Sequence, residues 1–313
     1  MPVLASQLTG IAQTSAEAVV AAPVTSAPDR RIVVLDTDIA HDPDDAVMVA
    51  LAARLVPESD HVVVLTADET GGRRARIARR LLDLMDRPDV TVVPGRDLGG
   101  DRFVMDHHLH HTTPQPRYDV VDTITTTCAL YPGPVTWIGC GPMSNLADVL
   151  VIAPELSERI IVTQMGGWLN PLRYRNPHKS SHNFHTDTHS AGLALRLASR
   201  PRLVLSEHTG VPEMLITAES ALYRQLAAPN APAWAQLIVA NFDAWFARRP
   251  GGSWMHDPLA LSAAVGAPFV TFGTRRVRIA HDARLCLDVQ GREMKVSSEV
   301  DYPAAMAWIL DTL

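Results

Sequence analysis

The sequence predicts an α/β protein: an open, mostly parallel sheet flanked by helices, with small strands near the C-terminus. Short apolar runs rich in β-branched residues recur through the first half of the chain, each followed by a segment of helical length. That alternation holds from about residue 31 to residue 165, which argues for parallel strands covered on both faces by helical crossovers. The chain has 313 residues, 47% hydrophobic and 20% charged, enough to bury a large core without disulfide or metal staples.

The elements follow in order. RIVVLD (31–36) is a buried strand, and AVMVALAARL (46–55) after it has helical length. HVVVLTA (61–67) is a second strand. In GGRRARIARRLLDLM (71–85), Ile77, Leu81, Leu82 and Met85 share one face and the arginines lie elsewhere, an amphipathic helix. VTVVPG (90–95) is a third strand, and residues 119–130 can form a helix. Pro132-Gly133-Pro134 breaks it, VTWIGC (135–140) is a fourth strand, and GPMSNLADVLVIAPEL turns into a helix ending near Pro154. RIIVTQM (159–165) is a fifth strand, stopped by Gly166-Gly167. Residues 215–265 read as helices, 268–298 as short strands, and 302–312 as a closing helix.

Composition removes several function classes. With 28 basic and 34 acidic residues the net charge is −6, so there is no electrostatic footprint for nucleic acid or an anionic membrane. No apolar run reaches the roughly 18 residues of a membrane span. Cys128, Cys140 and Cys286 are odd in number and far apart, which fits a reducing, cytoplasmic setting. Residues 1–30 lack a basic start before an apolar stretch and read as an extension, helical in part or mobile, ahead of a single domain over 31–313.

Chemistry concentrates after the first strand. Asp36, Asp38, Asp42, Asp44 and Asp45 place five carboxylates within residues 36–45. Packed together they repel, and a hard divalent cation relieves that: Ca²⁺ takes about 6–8 oxygen ligands. Such an ion also acidifies a coordinated water. A solvated acidic turn capping the next helix is the plain alternative, which Asp44 and Asp45 can fill alone. A strand followed by DxD also suits a phosphatase with an Asp nucleophile and Mg²⁺, but Lys179 and Lys295, the only lysines, are poorly placed for it.

GCGPMSNLA (139–147), TQMGGW (163–168) and MHDPLA (255–260) follow the acidic loop in that order. Together the four segments resemble the inosine–uridine-preferring nucleoside hydrolase family, from about Arg31 to about Leu261 and more loosely beyond. The resemblance implies that family's open α/β fold, a bound Ca²⁺ and hydrolysis of an N-ribosidic bond to free base and ribose. It implies Asp38 as calcium ligand and general base, and Asp45, the Cys140 backbone carbonyl and Asp257 as further ligands. Asp44 and Asn183 would hold ribose hydroxyls, Met165 would pack under the ribose, and His256 would meet the leaving base. Trp254, beside it, could line the base side. A homodimer or homotetramer acting in nucleoside salvage is implied too. Asp42 belongs to a longer form of the loop, and Asp36 remains a candidate without a role.

The departures from the family are specific. Ile39-Ala40-His41 stands where many members have Pro-Gly. Asp68-Glu69 replaces a Gly-Asn, so Glu69 would present a carboxylate to the ribose. Ser181 replaces a Glu that helps hold the 5′-hydroxyl, and Asn176 would substitute for a ribose-binding Asn. Arg173, Arg175, His178 and Lys179 read as a solvated basic loop or as a site for a 5′-phosphate or other 5′ substituent. His107, His108, His110 and His111, with His182, His185 and His189, read as structural or base-contacting residues ahead of a zinc site, because Asp187-Thr188 looks like a helix N-cap that splits the second set. Trp137 and Trp168 read as packing residues. Ribosidase, ribosidase for a 5′-modified nucleoside, and non-catalytic ribonucleoside binder are the readings carried forward.

Overall fold

The structure, a computed structural model, describes residues 30–109, 119–173 and 176–313. Nearly all of the expected N-terminal extension, together with His110, His111 and Arg175, lies outside the described residues. The strands are β1 (Ile32–Thr37), β2 (His61–Thr66), β3 (Thr91–Pro94), β4 (Val135–Gly139), β5 (Ile160–Met165), β6 (Arg202–Val204), β7 (Leu215–Ile216), β8 (Ser253–Trp254), β9 (Val270–Ile279), β10 (Leu285–Leu287) and β11 (Arg292–Val300). The helices are α1 (Asp44–Leu55), α2 (Arg73–Leu84), α3 (Val120–Leu130), α4 (Ser144–Ile152), α5 (His182–Thr186), α6 (Thr188–Leu197), α7 (Ser206–Thr209), α8 (Ala221–Leu226), α9 (Ala233–Arg248), α10 (His256–Ala264) and α11 (Tyr302–Thr312).

Nine strands form one sheet in the order β10-β9-β11-β6-β5-β4-β1-β2-β3. From β11 to β3 neighbouring strands pair in parallel, and β9 and β10 close the far edge antiparallel. Along β1 the side chains alternate between two cores. Val33 and Leu35 join the one that includes α1, α2, α9 and α10; Ile32 and Val34 join the one that includes α3, α4 and α6. A strand buried on both faces is apolar along most of its length, which is why β1 and β2 open as continuous runs, Ile32–Leu35 and Val62–Leu65.

The expected C-terminal strands are present: β9 pairs antiparallel with β10 and β11, and β11 continues the main sheet beside β6. The short strand β6 makes that join and was not anticipated, because three residues, Arg202–Val204, are too few for a periodicity signal. The region 215–265 also holds the small antiparallel pair β7 and β8 among its helices.

Candidate active site

The strand order reverses between β1 and β4, which pair from Ile32↔Val135 to Asp36↔Gly139. In open α/β sheets such a reversal leaves a crevice at the carboxyl ends of the strands. A cavity of about 860 Å³ opens there, reached by the loops after β1, β4 and β5 and by the start of α10. Gly141 permits the close approach of two of these loops: a Cβ on it would stand 3.1 Å from the Asp38 backbone nitrogen.

The cavity floor is acidic. Asp38, Asp42, Asp44, Asp45 and Asp257 all line it. The first four come from the loop after β1 and the first turn of α1; Asp257 comes from the first turn of α10. Ligand oxygens of Asp44, Asp45 and Asp257 lie within 4.8 Å of one another. The Thr37 hydroxyl donates to Asp45, and the Asp257 N–H donates to Asp44 at 3.2 Å. Burial, reinforced by the neighbouring aspartates, raises all three carboxyl pKa values well above the ordinary range. Burial likewise pushes Asp42, which accepts from the Ser253 hydroxyl, up to about 7.

This donor set fits a hard divalent cation. Oxygens about 2.3–2.6 Å from one Ca²⁺ lie no more than about 5 Å apart, and the cation's charge would reverse the cost of three buried carboxylates. It is the one such grouping of three or more His, Cys, Asp or Glu among the described residues, and it contains no histidine. Asp44, expected on the ribose, therefore belongs to this trio. Asp38 lines the cavity from the end of β1 but stands outside the trio.

The opposite wall holds the remaining expected groups. Asn183 Nδ2 donates to the Cys140 carbonyl at 2.8 Å and to the Met165 carbonyl at 3.3 Å, locking the loops after β4 and β5 to α5. Cys140, Met165, Asn176 and Asn183 line the cavity. Burial pushes the Cys140 thiol far up, so the residue offers its backbone rather than a thiolate. Ser181 Oγ accepts the Gly167 N–H at 2.7 Å. His256 Nδ1 and the Thr209 hydroxyl are 2.6 Å apart, which sets the ring's orientation at the cavity edge beside Trp254. His182 also lines the cavity, held by Arg102 at 2.7 Å, while Trp168 forms part of the wall rather than serving only as packing.

Several expected residues are not brought in. Glu69 is turned to α2: its carboxylate accepts the Thr66 hydroxyl at 2.5 Å and the N–H groups of Thr70, Arg74 and Ala75 at 2.8, 3.0 and 3.1 Å. It has no capacity left for a ribose, and the reading of Glu69 as a substrate contact is corrected. Asp36 is 1% exposed and accepts from Asn145 Nδ2 at 2.8 Å, a brace between β1 and α4. Burial pushes its pKa up to about 8. His107 and His108 sit in an exposed 3₁₀ turn, Asp106–His108, away from the cavity. Arg173 donates to the Glu207 carbonyl at 3.0 Å and faces a smaller neighbouring cavity. As expected, Asp187 caps α6.

Sequence reasoning missed Arg74 and His41. Arg74 is fully buried, although its run of arginines reads as solvent-facing. Its guanidinium donates to the carbonyls of Asp38, Ile39 (2.7 Å), Asp68 (2.7 Å) and Arg102 (2.6 Å). It thus fastens the backbone on which the acidic loop is built. Ala40, in the next position, has φ 77, a left-handed conformation that costs a non-glycine residue about 1–2 kcal/mol. Arg74 holds the chain there. Nothing in RRARIARR distinguishes it from its neighbours. His41 lines the cavity and packs edge-on against Trp245 at 5.1 Å; burial lowers its pKa to about 4, keeping it neutral.

The family model for inosine-uridine preferring nucleoside hydrolase matches residues 33–307. The chain belongs to this family. It is similar to the pyrimidine-specific ribonucleoside hydrolase RihA of Salmonella arizonae, 25% identical over 289 residues, covering 86% of this chain and 88% of that protein. Among solved structures, the purine-preferring ribonucleoside hydrolase from Gardnerella vaginalis superposes with TM-score 0.72 at 21% identity, covering 90% and 98% of the two chains. The plant nucleoside hydrolase PpNRh1 superposes with TM-score 0.72 at 19% identity, covering 91% and 99%. At those identities the structural likeness speaks for the fold. As a nucleoside hydrolase this chain is an enzyme acting on N-glycosyl compounds, and the aspartate trio is where a metal can sit.

Proposed function

We propose that this nucleoside hydrolase is calcium-dependent and cleaves the N-glycosidic bond of a ribonucleoside with a water deprotonated by Asp38. The observation that supports this most is the convergence of Asp44, Asp45 and Asp257 within 4.8 Å at the cavity floor, with Asp38 on the same floor. Calcium bound by that trio and the Cys140 carbonyl would acidify a water and grip the vicinal ribose hydroxyls.

The protein's own groups supply the rest. Cleavage builds oxocarbenium character on the sugar, and a floor of carboxylates stabilises that charge. Asp38 takes the proton from the attacking water. Asn183 and Met165 fix the ribose, which is the proximity contribution. His256, oriented by Thr209, gives a proton to the departing base, and Trp254 offers that base a flat face. We further propose a homo-oligomer, dimer or tetramer, working in cytoplasmic nucleoside salvage; the three cysteines are all free.

The test is mass-spectrometric detection of free base from a panel of nucleosides, with and without chelator. Release that chelator abolishes and calcium restores is the expected result. Release that ignores chelator overturns the calcium assignment. Binding without turnover, unchanged in Asp38→Ala, overturns the catalytic reading in favour of a binder.

A further inference from the structure

The cavity is electrically divided. Every acidic residue that lines it belongs to the floor: Asp38, Asp42, Asp44, Asp45 and Asp257. Lys179, Arg248 and Arg249 line the same space with exposed side chains, and so form its mouth. They arrive from two separate places. Lys179 precedes Ser181 and α5; Arg248 ends α9 and Arg249 follows it. Among the described residues none of the three is paired with a carboxylate. Arg249 lies over the Trp245 ring at 6.0 Å. Glu207, close to the same wall, accepts the N–H groups of Leu169 and Asn170 on one carboxylate oxygen, Oε2, both at 2.9 Å, and lines the neighbouring cavity instead. The basic stretch around 173–179 thus divides in the structure: Arg173 turns to Glu207, and Lys179 turns to the cavity.

A plain ribonucleoside is neutral and uses only the floor. The ribose of a nucleotide can carry phosphate on its 2′, 3′ or 5′ oxygen. If the floor grips the vicinal hydroxyls, a phosphate on the 2′ or 3′ oxygen would be driven against five aspartates. Only the 5′ oxygen can carry the anion toward the mouth. We propose that the cavity takes a ribonucleoside bearing a phosphate on its 5′ oxygen, with Lys179, Arg248 and Arg249 as the phosphate site. This rests on the ribosidase reading above. A phosphate monoester carries about −1.5 to −2 charge at neutral pH, and arginines bind it through paired N–H donors. The volume of about 860 Å³ is in the upper part of the usual 300–1,000 Å³ range for small-molecule sites, leaving room for the added group.

The test compares kcat/KM for base release from uridine and inosine, their 5′-monophosphates and their 3′-monophosphates, using the full chain with calcium. The 5′-monophosphates are expected to be favoured over the nucleosides by about tenfold or more, an advantage that shrinks as salt rises. The double variant Lys179→Ala/Arg248→Ala is expected to reduce that ratio about tenfold. Calorimetric titration with ribose 5-phosphate against ribose gives a readout independent of turnover, and tighter, salt-sensitive binding of the phosphate is expected. Nucleosides used as well as or better than their 5′-monophosphates, or a ratio unmoved by the double variant, overturns the phosphate site while leaving the ribosidase reading intact. Preference for the 3′-monophosphate overturns the orientation. No base release from any substrate by folded, calcium-loaded protein overturns the underlying reading together with the proposal.

Discussion

Two acidic segments leave neighbouring parallel strands at the same end of the sheet, and they do opposite things. After β1, Asp38 to Asp45 face a cavity and are short of donors: the trio of Asp44, Asp45 and Asp257 gathers carboxylate oxygens within 4.8 Å. After β2, Glu69 is satisfied from inside the protein, while Asp68 faces two arginines through Oδ2 and leaves its buried Oδ1 without a hydrogen bond. Glu69 accepts three backbone N–H groups and a hydroxyl, and Asp68 lies 3.4 Å from Arg74 and 3.5 Å from Arg102. A carboxylate whose lone pairs are filled by the fold is structural. One whose neighbours are other carboxylates can hold a cation. Burial does not separate the two, since Glu69 and Asp45 are both 2% exposed. The supply of donors does.

The largest expected effect comes from breaking the first segment. Asp45→Asn should lower base release about a thousandfold while raising the melting temperature of chelator-treated protein, because one buried like charge is gone. Kinetics with melting curves checks both, and a variant that loses activity and stability together contradicts the contrast. His256→Ala should cost about a hundredfold in kcat on nucleosides with poor leaving bases, and less where the base leaves readily.

The second segment should respond in stability. Arg74→Met leaves three buried carbonyls and one part-buried carbonyl without their donor and should cost about 3–5 kcal/mol in denaturant unfolding. Calcium affinity should fall in the same variant, because Arg74 holds the Asp38–Ile39 backbone. Glu69→Gln should cost about 1–3 kcal/mol, with kcat per folded molecule unchanged. A kcat loss there would return Glu69 to the substrate.

The smallest effect is a pH dependence. Asp42 titrates near 3.8 unfolded and about 7 folded, so the folded state holds its proton more tightly. Its ionisation therefore lowers stability progressively as pH rises from about 4 to about 7, and the trio acts in the same direction. Chelated protein should melt higher at pH 5 than at pH 8, and added calcium should flatten or reverse the slope.

The sequence by itself determined the parallel core, because strands buried on both faces are apolar along most of their length and helical crossovers must be amphipathic. It also determined where the chemistry begins, because five aspartates after a buried strand have few physical explanations. The order of four motifs identified the family before any coordinate was needed. Tertiary structure decided how the acids divide between cavity and fold. It brings Asp257, which the resemblance had named, onto Asp44 across more than two hundred residues, and it alone loses Glu69 to α2 through hydrogen bonds with its own backbone neighbourhood. It alone picked Arg74 from a run of arginines and brought Lys179 to the same mouth as Arg248. The physical reason is common to all of these. Periodicity records which face of an element is apolar, whereas the fate of a charge depends on the donors and acceptors that distant segments bring to it.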